Sequence, residues 1–181
     1  MVVKNYQEKL AIQEGVQVSF DSGLCTVKGP QGEVKRMLLH PLIQIVVEGN
    51  EVVFNVSRYT RREKTMLGTF KAHIKNMMNG VIEPFVYTLK VCSGHFPMNI
   101  SYSNNTFTVK NFIGEKIPRV LGIRQGVDLV LNGEEITVTS INKELAGQTA
   151  ASIETLCKRS GFDRRIFQQG IFITSKAGKQ V

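Results

Sequence analysis

The chain has 181 residues, 42% of them hydrophobic, and carries a net charge of +8. That length builds one domain with a good core or two small ones, and that apolar content excludes wholesale disorder. The apolar runs are too short to cross a bilayer, and the charge favours a polyanionic partner, nucleic acid before an anionic membrane surface.

The N-terminus, MVVKNYQEKL, meets a charge at its fourth residue and has no long apolar segment, so it does not read as a secretory signal. Next comes VSFDSGLCTVKGPQGE (Val18 to Glu33). Asp21-Ser22-Gly23 and Gly29-Pro30 break it into short strands. In EGNEVVFNVS (Glu48 to Ser57) a Gly49-Asn50 turn leads into alternating apolar and polar residues, the second arm of a hairpin. Leu67, Phe70, Ile74, Met77 and Val81 then follow helical spacing. The same stretch carries Arg61, Arg62, Lys64, Lys71 and Lys75, which read either as a basic contact surface or as a solvated helix face. Gly80, followed by Pro84, is expected to end this helix and mark a boundary.

FVYTLKVCS opens the second half as a strand with Cys92 at its end. ISYSNNTFTVKNFIGE (Ile100 to Glu115) then repeats the Val18 to Glu33 stretch at a shift of 82, with six identities in sixteen positions. LNGEEITVTS (Leu131 to Ser140) repeats the earlier hairpin arm, with its turn at Asn132-Gly133. Leu145, Thr149, Ile153 and Leu156 repeat the helix, and Gly147 stands where Gly68 stood. The expected fold is α+β, with two tandem duplicated domains, each a small mainly antiparallel sheet packed against one helix. Their boundaries are residues 1–83 and 84–181.

No glycine loop in the sequence is built to cradle a nucleotide phosphate. His40, His73 and His95 are isolated, without metal-ligand spacing to a second ligand type. Cys92 and His95 lie three apart, but a cysteine ending an apolar strand reads as core rather than as a nucleophile beside its base. With Cys25 and Cys157 it makes three widely spaced cysteines, the reduced or buried thiols of a cytoplasmic protein. No enzyme, cofactor or metal is expected.

What remains is positive charge beside strands and loops. Lys110, Asn111, Phe112, Lys116 and Arg119 follow one strand of the second half. The cations can neutralise phosphates and the asparagine can bond sugar or base edges. Phe112 either stacks on an unpaired base or packs in the core. Lys158, Arg159, Arg164, Arg165, Lys176 and Lys179, against the single acid Asp163, form the densest charge excess. This C-terminal region ends in KAGKQV, a segment too polar for a core and expected to order along RNA.

QEGVQVSF, TVKGPQGEVKR, HFPMNI (His95 to Ile100), VKNFIGEK and RRIFQQGIFITSK (Arg164 to Lys176) run in order along nearly the whole chain. Together with the duplication, they resemble the universal large-subunit ribosomal protein L-six family in its archaeal and eukaryotic form. The resemblance implies two α+β domains, a structural and non-enzymatic role, and neighbouring large-subunit proteins as partners. It implies binding to large-subunit rRNA near the sarcin–ricin region, mainly through the second domain. The first domain would lie towards the stalk base, where translational GTPases dock. RNA contacts would fall on the loop after Lys110, on His95-Phe96-Pro97 and on the basic C-terminal region. The resemblance also implies a cytoplasmic ribosomal location, with nucleolar assembly in a eukaryote, and no membrane. The alternative reading is a free-standing basic module that binds acidic partners.

Overall fold

The computed structural model describes residues 3–94, 96–163 and 165–181. Strands form first where polar and apolar residues alternate between turn residues. They are β1 (Val3–Ala11), β2 (Gln17–Asp21), β3 (Leu24–Gly29), β4 (Gly32–Met37), β5 (Ile43–Glu48) and β6 (Glu51–Tyr59), followed by α1 (Arg61–Ile82). The second half runs β7 (Phe85–Cys92), β8 (Asn99–Ser103), β9 (Thr106–Lys110), β10 (Arg119–Gly122), β11 (Asp128–Asn132), β12 (Glu135–Ser140), α2 (Lys143–Leu156), β13 (Gly170–Lys176) and β14 (Lys179–Gln180). The halves form two compact units, Met1–Pro84 and Phe85–Val181.

The turns explain the hairpins. Ser22 and Gly23 join β2 to β3 with φ of 49° and 88°, and Asn104 and Asn105 join β8 to β9 with φ of 48° and 56°. Two positive φ values in a two-residue loop match the twist of an antiparallel pair, and asparagine and glycine tolerate them best. The pleat then sends Cys25 and Val27 of β3 inward, and likewise Phe107 and Val109 of β9, the residues 82 positions later.

Each unit holds two antiparallel sheets rather than the single sheet expected. The first has β2-β3-β4 and β1-β6-β5; the second has β8-β9-β10 and β11-β12-β7-β13-β14. Which hairpin joins which is decided by pairing between distant strands, and local alternation carries no record of it. The added strands also correct the expectation for the tail. Beyond β13, Ala177 and Gly178 turn the chain back into β14, and the Val181 N–H reaches the Thr174 carbonyl at 3.0 Å. KAGKQV is a sheet-edge hairpin rather than a segment without a place.

α1 begins at a capping box. The Glu63 carboxylate accepts from the Thr60 backbone N–H at 3.1 Å and from its hydroxyl. Leu67, Phe70, Ile74, Met77, Met78 and Val81 form its buried stripe. The helix runs through Gly80, which is buried inside it, and stops at Ile82. Glu83 is extended because the ring of Pro84 disfavours a helical residue before it, so proline alone sets the end. α2 is capped by Asn142, whose side chain accepts from the Glu144 N–H at 3.0 Å. Its buried face is Ala146, Thr149, Ala150 and Ile153, while Leu145 and Leu156, expected in the stripe, are only partly buried. Small residues bring this helix close to β7, where a Cβ on Gly147 would lie 3.3 Å from the Tyr87 hydroxyl.

Among the described residues no helix is long and apolar enough to cross a membrane, and no cluster of ligands could hold a metal ion. Cys25 and Cys157 are buried, and burial pushes both thiols up to about 11; Cys92 is half-buried.

Candidate nucleic-acid interface

Three loops meet at one end of α2. Between β9 and β10, Phe112–Gly114 forms a single 3-10 turn. Asn111, Ile113 and Gly114 all have positive φ, and for Ile113 (φ 46°) this is a rare conformation costing about 1–3 kcal/mol. The turn persists because its neighbours fix it. Asn111 Nδ2 donates to the Pro97 carbonyl at 3.0 Å, and the Phe96 ring lies over Gly114, within 3.6 Å of where a Cβ would be. From the loop between α2 and β13, Gln169 Nε2 donates to the Phe96 carbonyl at 2.7 Å. The Phe96–Pro97 segment is thus pinned from both sides, and the three loops form one surface.

Arg119 holds this surface to the helix. Its Nε and Nη2 donate to the two Glu115 oxygens at 2.7 Å each, and its Nη1 donates to the Leu156 and Lys158 carbonyls at 2.6 and 3.2 Å. Its guanidinium also lies 4.4 Å from the centre of the Phe112 ring. It therefore caps the C-terminus of α2. The Arg119 hydrogen bond holds the Glu115 carboxyl below its usual value, and the same bond raises Arg119.

These contacts sort the expected RNA-binding residues. Lys110, Lys116 and Lys158 are exposed and have no side-chain partner among the described residues. Asn111 is committed to Pro97. Phe112 is 1% exposed, so its ring belongs to the core and is not presented to a base. Arg119, with its donors turned inward, is a positioning residue rather than a phosphate ligand. Arg159 lies 4.4 Å over the Phe162 ring and 3.8 Å from Glu115, with part of its side chain in solvent. Arg165 is paired with Asp163 at 2.8 Å yet 90% exposed, a pair too well solvated to withhold it from another anion. Lys176 and Lys179 sit at the far end of β13 from the three loops, so the basic C-terminal set splits into two groups. His95 and Arg164 lie outside the described residues.

Sequence reasoning passed over Ile166 and Phe167, which are 75% and 49% exposed in the most basic loop. The signal was there: two apolar residues directly after Arg164-Arg165. It was masked by the stronger pattern of charge around it.

In comparisons with known proteins, the family model described as ribosomal protein L6 matches residues 12–83 and 96–170, one match in each unit. The large ribosomal subunit protein uL6 of Methanobrevibacter smithii is 40% identical over 176 residues, covering 97% of this chain and 99% of that protein. Its namesake in Methanococcus vannielii is 42% identical over 173 residues, covering 96% and 95%. That of Methanosarcina mazei is 42% identical over 176 residues, covering 97% and 100%.

Proposed function

Because the chain belongs to the ribosomal protein L6 family, whose members are structural proteins rather than enzymes, we propose that it is a constituent of the large ribosomal subunit that binds large-subunit rRNA through its second unit. The observation that carries this reading is the convergence of the three loops at the end of α2. Among the described residues, their lysines Lys110, Lys116 and Lys158 have no anion paired with them. Free cations on a braced surface displace counterions from folded RNA without first reorganising, and strain held in Ile113 is what a fixed contact surface calls for. Arg159 and Arg165 add charge at the same place. Asn111 and Arg119 contribute by position, and His95 and Arg164 belong to the proposal by sequence. Lys176 and Lys179 form a second contact on the same unit.

The family resemblance supports the finer placement: rRNA near the sarcin–ricin region for the second unit, and for the first a position towards the stalk base, beside neighbouring proteins and transient GTPases.

The test is the salt dependence of binding to large-subunit rRNA. Each phosphate contact contributes roughly 0.7–0.9 to the log–log slope, so Lys110→Ala with Lys116→Ala is expected to flatten it by about 1.5 while the fold, followed by circular dichroism, is unchanged. A slope equal to that of the parent chain would remove this loop from the interface.

A further inference from the structure

We infer that the loop between α2 and β13 carries a stacking site for an unpaired RNA base, with the Phe167 ring as its platform. This rests on the rRNA-binding reading and deepens it, because it states which feature of the RNA this loop recognises.

Phe167 combines exposure with restraint. The residue is 49% exposed and the neighbouring Ile166 is 75% exposed, on a loop that also holds Lys158, Arg159 and Arg165. Yet its position is fixed. The Phe167 N–H donates to the Asp163 carbonyl at 2.9 Å, and its ring meets Phe162 edge to face, with centroids 5.2 Å apart and planes at 79°. Phe162 in turn carries the Arg159 guanidinium at 4.4 Å from its centre. Gln169, two residues on, is anchored to the Phe96 carbonyl. A half-exposed aromatic held in place loses little freedom when something stacks on it.

The chemistry of the surroundings selects the occupant. An aromatic face beside a planar guanidinium and free lysines suits a π-face attached to a phosphate chain, which is an unstacked nucleotide. An A-form duplex keeps its base faces stacked inside, so the partner is a bulge, a loop or a strand end. The base cannot go beneath the rings. The cleft lined by Phe112, Cys157, Phe162, Phe167 and Phe172 holds only about 20 Å³, room for a water and no more. It must lie on the outer side of Phe167. The duplication points the same way. In the first unit the corresponding helix runs straight into Glu83 and Pro84, so this loop and its aromatic pair are particular to the second unit.

The test uses the full chain and naked large-subunit rRNA from its own organism. Phe167→Ala is expected to weaken binding about 5- to 150-fold, the range for loss of one base–aromatic stack, with the log–log salt slope unchanged because no phosphate contact is lost. Phe167→Trp is expected to restore affinity. Dimethyl sulfate and carbodiimide should find an unpaired base that the parent chain shields and the alanine variant leaves reactive. Parent-like binding by Phe167→Ala overturns the inference, as does a loss that Phe167→Trp fails to restore. Normal binding to naked rRNA with failure to join the large subunit also overturns it, since the ring would then meet protein. Failure of the parent chain to bind rRNA would instead sink the functional reading beneath it, so the two failures are distinguishable.

Discussion

Arg119 commits four hydrogen bonds from its five N–H donors to the protein itself. Lysine cannot reproduce that fork, so Arg119→Lys is expected to cost about 2 kcal/mol in denaturant unfolding at neutral pH. The same pair sets a pH dependence. Glu115 titrates lower when folded than when unfolded, so the unfolded chain binds more protons as acid is added. Its contribution is complete above the ordinary carboxylate range and is lost as pH falls through the lowered folded value. Glu115→Gln should therefore be less stable than the parent chain at neutral pH, and that difference should shrink in acid. None of this could be read from sequence. Arg119 looked like any arginine beside a basic loop, and its partner carbonyl on Leu156 is distant in the chain. For Phe112 core packing was the plainer of two readings, and its burial among the core residues of the second unit decides for it.

At the scale of elements, local chemistry was legible and long-range choice was not. Asn104-Asn105, Gly49-Asn50 and Asn132-Gly133 announce hairpins because asparagine and glycine tolerate positive φ, which both residues of the first adopt and the glycine alone in the other two. The α1 stripe was equally plain, since large apolar residues mark it. In α2 the expected Thr149 and Ile153 are buried, but Leu145 and Leu156 are only partly so, and the small core positions Ala146 and Ala150 gave no apolar signal to find them by. Gly80 was taken for a stop although a glycine is tolerated inside a helix where packing is close. The β3–β4 turn shows the same principle in a testable form. A Cβ on Gly29 would lie 2.6 Å from Val81 Cγ2 and 3.0 Å from the Val81 carbonyl oxygen. Gly29→Ala is expected to destabilise by about 1–3 kcal/mol in thermal or chemical unfolding, the range for overpacking a tight contact. The matching position, Asn111, already bears a side chain that reaches Pro97. Asn111→Ala should cost about 1–3 kcal/mol, one hydrogen bond plus the strain of an alanine held at positive φ.

At the scale of the whole molecule, the second unit has its own core, running from Tyr87 to Ile171. Met1–Pro84 and Phe85–Val181 made as separate chains are each expected to unfold cooperatively. Phe85–Val181 should keep most of the rRNA affinity and nearly the full salt slope, measured by filter binding. Comparable slopes for the two halves would count against the division of labour proposed above. The duplication itself was legible, because it is written in aligned residues. What the copies do differently was not, since it depends on what each loop packs against.

That difference reaches furthest at the ends of the two helices. In the first unit the Gln31 N–H donates to the Val81 carbonyl at 3.0 Å, and Gly29 closes over the same residue: a joint made of shape and one neutral hydrogen bond. In the second unit the same junction is closed by the charge of Arg119 and Glu115. The ancestral hinge-pin has become a latch. Only acid that takes the pH below the ordinary carboxylate range, through the lowered value of Glu115, loosens the second joint, whereas the neutral hydrogen bond of the first has no group to titrate. Of the two copies, the one proposed to grip RNA is the one whose loop is tied to its helix by charge.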